Sequence, residues 1–196
     1  MNNHENSENR APILDITTKG TPWGKENTLT PLFKKTLLTT LQHAFENPHL
    51  PPTFKKFQEH SLEISLLLAH NPFVQKLNKK WLSKDMPTNV ISFPFYEKGE
   101  DLSLDNFKKS NEQVFLGDIV LSYEKCLEEA NLAEKPFMNH ISHLFTHGIL
   151  HLLGFDHLTE HEAHIMESLE ITILADLQIP NPYTHGISKN GVDLEC

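Results

Sequence analysis

Hydrophobic spacing divides the chain into strands that interleave with helices early and helices alone late. Residues 11–18 set Ile13, Leu14 and Ile16 among polar and small neighbours, an imperfect alternation that predicts a first strand. Thr30-Pro31 predicts a helix start, because proline suits the first helical turn. Leu32, Phe33, Leu37, Leu38, Leu41 and Phe45 then keep the 3.6-residue period until Asn47-Pro48 ends it. Residues 49–58, with Pro51-Pro52, predict a loop. Leu62 to Leu68 alternates and then turns wholly apolar, which predicts a strand buried on both faces, and a helix follows over 71–80.

Thr88 to Phe95 is rich in β-branched and aromatic residues but holds Pro94, which cannot donate to a ladder, so it predicts an edge strand or a strand end. A charged loop over 97–112 leads into a strand at Val114–Leu121. Its central Gly117-Asp118 marks a bulge or a close backbone approach near a ligand. Helices over 122–133, 136–153 and 159–177 complete the chain, the last opened by Thr159 and Glu162 in a capping-box pattern. The order predicts an α/β (α+β) fold: a small mixed sheet of about four strands with about five to six helices, the histidine-bearing helix on one face.

Composition narrows this picture. A chain of 196 residues, 38% hydrophobic and 22% charged, can bury one ordinary core, which predicts a single domain over 11–180 between tails at 1–10 and 181–196. No apolar run approaches the roughly 20 residues that span a bilayer. The polar start, without an apolar h-region, predicts a disordered tail on a cytoplasmic protein. Cys126 and Cys196 read as two reduced thiols. A formal charge of −9 argues against a generic nucleic-acid coat protein but leaves room for a local basic surface, with Lys76, Lys79, Lys80 and Lys84 on a helical repeat and a further pair at Lys108-Lys109.

The chemistry concentrates near the C-terminus. Seven of the 13 histidines fall between His140 and His164, too many in one segment for scattered core residues. His147, His151 and His157 stand at the spacing H-x3-H-x5-H. The first two share a helix face, and Gly154 ends the helix in the left-handed conformation that can swing the third imidazole back toward them. Three imidazoles with a fourth position open describe a catalytic zinc site holding one ion. Zinc peptidases share this spacing but follow the first histidine with a glutamate that serves as general base; here that position is Gly148. A substrate that supplies its own nucleophile needs such a base less.

The run HGILHLLGFDH, preceded on the same helix by His140 and His143, together with LNKKWLSKDMPTNVISFPF (77–95) and GDIV (117–120), resembles the YbeY family of bacterial endoribonucleases. The resemblance covers roughly Leu62 to Tyr183. It implies a small α/β sheet surrounded by helices and one zinc held by His147, His151 and His157. It also implies cleavage of single-stranded RNA, a role in ribosomal RNA maturation at the small-subunit 16S 3′ end and in ribosome quality control, and as partners ribosomal RNA and the small subunit or its assembly factors. Family members commonly carry an arginine facing the site after the aromatic of the first block; this chain has Leu82 after Trp81, with Lys84 as a substitute point charge.

The residues leave several roles open. No catalytic side chain is assigned, and attack by water and attack by the 2′-hydroxyl both fit. Asp118 and Asp156 are either carboxylates that orient the histidines or, respectively, a turn or bulge residue and a local cap. His143 is a fourth ligand or, preferably, part of the site wall. Two rival functions remain: a zinc peptidase-like hydrolase of unusual type, and a non-catalytic ribosome assembly factor with a structural zinc.

Overall fold

The computed structural model describes residues 11–20, 23, 26–97 and 113–184. The predicted N-terminal tail, residues 98–112 of the charged loop with Lys108-Lys109, and Cys196 lie outside the described residues. In chain order the elements are β1 (Ile13–Thr18), α1 (Glu26–Glu46), α2 (Pro52–Lys55), a 3-10 turn (Lys56–Glu59), β2 (Ser61–Ala69), α3 (Asn71–Leu82), β3 (Val90–Pro94), β4 (Gln113–Ser122), α4 (Tyr123–Leu132), α5 (Phe137–Leu152) and α6 (Glu160–Asp176). The fold class is the expected one, a mixed four-stranded sheet with helices around it.

Strand order is β1-β2-β4-β3. β2 runs parallel to both β1 and β4, while β3 pairs antiparallel with β4 at the edge. Pro94 therefore sits at the end of an edge strand, where its missing N–H breaks no interior ladder. The larger core lies on one sheet face, where Leu62, Ile64, Leu66 and Leu68 of β2 and Ile119 and Leu121 of β4 meet Phe33 and Leu37 of α1, Phe145 and Ile149 of α5 and Ile173 of α6. The other face holds a small cluster of Ala69, Val74, Ile91 and Val120 under α3.

Three local readings change. β2 is not buried evenly on both faces but alternates: among the described residues, the side on which Glu63, Ser65 and Leu67 lie meets only a small cluster under α3. Residues 49–58 are largely helical; Phe54 and Phe57 are fully buried, and those anchors hold α2 and the 3-10 turn on the core despite the prolines. α1 starts before Pro31, which stands inside the helix, where the absent N–H removes one hydrogen bond without ending it. Thr159 caps α6 as expected, its Oγ1 accepting from the Glu162 backbone N–H at 3.2 Å. Among the described residues no helix is long and apolar enough to cross a membrane.

The bulge expected at Gly117 is present. Opposite Glu63 and Ile64 the register jumps from Phe115 to Gly117, leaving Leu116 as the extra residue. Gly117 has φ +138°, and a Cβ there would lie 2.2 Å from the Phe93 carbonyl oxygen, so the close approach is to the neighbouring strand.

Candidate metal centre

α5 places His147 and His151 one turn apart, and the helix ends on Gly154 at φ +78°, with the Phe155 N–H reaching back to the Leu150 carbonyl at 3.0 Å. That turn buries Phe155 and sends His157 back beside the helix: ring centroids are 4.5 Å apart for His147–His151, 5.0 Å for His151–His157 and 5.5 Å for His147–His157. One nitrogen from each of the three lies within 4.8 Å of the others. The three histidines singled out by spacing thus converge, with His147 and His151 half-buried and His157 exposed at the rim.

The hydrogen bonds decide which nitrogen of the two helix imidazoles faces inward. His147 Nδ1 lies 2.9 Å from Glu170 Oε1, and His151 Nδ1 lies 3.1 Å from the Phe155 carbonyl oxygen. An ionised carboxylate and a carbonyl only accept, so both Nδ1 atoms donate and both Nε2 atoms carry lone pairs. Those two Nε2 atoms stand 3.0 Å apart. Two lone pairs at that separation repel unless a cation lies between them, and four ligands at 2.0–2.1 Å around a tetrahedral ion stand roughly 3.3 Å from one another. The donor set fits a metal ion of the zinc kind.

Electrostatics prepare the same state. Burial, reinforced by the neighbouring His147 and His157, pushes the His151 pKa down to about 4, so its ring is neutral at ordinary pH. Burial alone would raise Glu170, but hydrogen bonds from His143 and His147 outweigh it and hold the carboxyl at about 2. Glu170 on α6 also accepts from His143 Nε2 at 2.7 Å and from the Tyr183 hydroxyl at 2.5 Å. His143 is thus bonded to Glu170, outside the converging set.

A family model, Endoribonuclease YbeY, matches residues 26–178, which include the whole histidine cluster and Glu170. The chain belongs to the YbeY endoribonuclease family. Two Endoribonuclease YbeY proteins show how far the likeness runs: that of Zymomonas mobilis is 44% identical over 137 residues, 69% of this chain and 77% of that one. That of Bartonella bacilliformis is 36% identical over 173 residues, covering 87% of this chain and 96% of that protein.

Of the two aspartates weighed beside the YbeY histidine motif, neither contacts the imidazole nitrogens. Asp118 pairs in register with Phe93, whose side chain joins the α3 cluster, while its neighbour Ile119 faces α5; strand parity puts Asp118 on the far face of the sheet. Asp156 accepts from the His157 backbone N–H at 2.8 Å, the local cap. The carboxylate that contacts the histidines is Glu170, bonded to His147 and His143, and the sequence reading missed it. The signal was present as an acid flanked by Leu169 and Ile171 on a helix that otherwise buries apolar residues, but which acid faced the histidines depended on how α6 packs.

Gly148 has little room for a side chain. A Cβ there would meet Ile119 Cδ1 at 3.0 Å and Ser92 Oγ at 3.1 Å, so the position that carries the peptidase base is packed on the sheet in this YbeY chain. His140 binds Glu129 at 3.0 Å, away from the three. Leu82, half exposed at 51%, ends α3, the helix on the sheet face opposite α5. Beside it Trp81, 61% exposed, sets its ring edge-on to Phe93 of β3 at 6.2 Å.

Proposed function

We propose that this chain is a cytoplasmic, zinc-dependent endoribonuclease that cuts single-stranded RNA in ribosomal RNA maturation, at the 16S 3′ end, and in ribosome quality control, with the small subunit or its assembly factors as partners. One observation carries the reading: within the segment that matches the endoribonuclease family, three histidines converge and two present lone pairs 3.0 Å apart. His147, His151 and His157 would hold one zinc ion, which supplies Lewis acidity toward water and toward a phosphoryl oxygen.

The chain's own groups do the positioning. Glu170 and the Phe155 carbonyl fix the two helix imidazoles, and exposed His157 leaves the rim open to a strand. RNA carries a 2′-hydroxyl next to each scissile phosphate, which suits a site where Gly148 leaves no room for a peptidase base. The surface that best receives a single strand is the end of α3, where Trp81 is exposed, Lys80 lies over its ring at 4.7 Å, and Lys84 stands nearby. Exposed aromatics with cations bind single strands by stacking and charge. Edge strand β3 separates this surface from α5, with Phe93 under Trp81 and Ser92 under Gly148.

A structural zinc would call for a fourth protein ligand, and His143 has its Nε2 on Glu170. The test is cleavage of matched single-stranded and duplex RNA by purified protein, with metal analysis of the same sample. Chelation should abolish cutting, Zn²⁺ should restore it and duplex should resist. Zinc-loaded protein that leaves both RNAs intact but hydrolyses casein overturns the assignment.

A further inference from the structure

An imidazole free in water divides its single proton between two nitrogens, so a histidine that must offer Nε2 to an ion needs a partner that holds the proton on Nδ1. For His151 the partner is a backbone carbonyl. For His147 it is Glu170, a carboxylate with 0% exposure in the interior between α5 and α6. A charge there is costly unless donors surround it, and an apolar side chain would fill the position without that cost. Three donors do surround it: His147 on one oxygen, His143 and Tyr183 on the other. Tyr183 lies beyond α6 in a segment held by Lys135, whose Nζ donates to the Pro182 carbonyl at 2.6 Å, and by Asn181, whose Oδ1 accepts from the Tyr183 N–H at 2.9 Å.

We infer that Glu170 is a positioning residue for the metal centre, locking His147 in the Nδ1–H form with Nε2 turned to the ion, and that Tyr183 secures Glu170 in that task. The inference rests on the metal-binding reading above. It brings residues 181–184 into the centre, although their sequence reads as the start of a tail. Carboxylates behind metal-bound histidines are worth roughly 10–100-fold in metal affinity. Glu170→Gln keeps the shape but brings an amide that can accept from only one of the two rings while presenting a donor to the other side.

The experiment uses the full chain and three readouts: zinc affinity by chelator competition, thermal melting without metal, and the His147 tautomer by long-range ¹H–¹⁵N NMR above neutral pH. The expected results are an Nδ1–H tautomer in the metal-free wild type and a roughly 10–100-fold loss of zinc affinity in Glu170→Gln. Tyr183→Phe, which removes a single donor, should lose roughly threefold to tenfold. A brace between helices would instead lower melting and leave the zinc affinity of folded protein unchanged. An Nε2–H tautomer in the wild type, or zinc affinity within about twofold of wild type in both variants, overturns the inference. Should Glu170→Gln not fold, the wild-type tautomer and Tyr183→Phe decide. A wild type that takes up no zinc overturns the metal reading itself.

Discussion

A side chain built on Gly148 would begin 3.0 Å from the Ile119 Cδ1 atom. The contact separates two substitutions. Gly148→Ala gains about 1 kcal/mol of helix propensity against a tight but yielding methyl contact, so its stability should stay within about 1 kcal/mol of wild type. Gly148→Glu has to bury a carboxylate against the sheet and should lose about 3 kcal/mol or more without gaining any proteolysis. Denaturant melts and a casein assay read both; measurable caseinolysis by Gly148→Glu would mean that the peptidase geometry is attainable after all.

Removing any one of His147, His151 or His157 leaves two imidazoles, too few to hold zinc tightly. Each alanine variant should copurify with little metal, while His140→Ala, whose ring lies on Glu129, should keep it. Full zinc stoichiometry in His151→Ala would refute the ligand set.

Acid should loosen the metal-free fold in two stages. His151 has its pKa depressed from 6.5 to about 4, so it contributes stability above 6.5 that is lost as pH falls toward 4, because the unfolded chain takes the proton first. Glu170 drops from 4.5 to about 2, so its contribution is present above 4.5 and is lost as pH falls toward 2. Melting temperatures in chelator across this range should decline in both windows, and His151→Ala should flatten the upper one. A flat profile from neutrality to pH 4 contradicts the assignment.

RNA affinity should depend on the end of α3. Trp81→Ala should weaken single-strand binding by about 1–3 kcal/mol if one base stacks there, with little dependence on salt. Leu82→Arg should tighten binding most at low salt, and Lys84→Ala should weaken it and lower the salt slope. Titrations over a salt series separate stacking from charge. If none of the three variants moves the affinity, the strand does not cross this surface.

Elements with strong periodicity or punctuation were legible: α3, the edge position of β3, the Gly117 bulge and the Thr159 cap all follow from local rules. So does the convergence of the three histidines, since two share a helix face and a glycine turn brings in the third. What escaped depended on packing between distant segments. Residues 49–58 carry prolines that read as loop, yet Phe54 and Phe57 find a core to enter. Glu170 is one of five acids between Glu160 and Asp176, and only the rotation of α6 against α5 selects it. Asp118, adjacent to a conspicuous glycine, drew attention, but strand parity sends it to the wrong face.

One contact ties the turn before the third imidazole to the N-terminal half of the chain. A Cβ on Gly154 would strike Phe54 Cε2 at 2.6 Å, so the aromatic ring of α2 lies flush against the turn that delivers His157. The three histidines are neighbours in sequence, but the turn between the second and third packs against a residue about a hundred positions upstream. A peptide cut from 137–157 would carry every donor atom and lack the wall that holds the third in place. Metal binding by the three at full strength would therefore depend on the finished tertiary structure rather than on the motif alone.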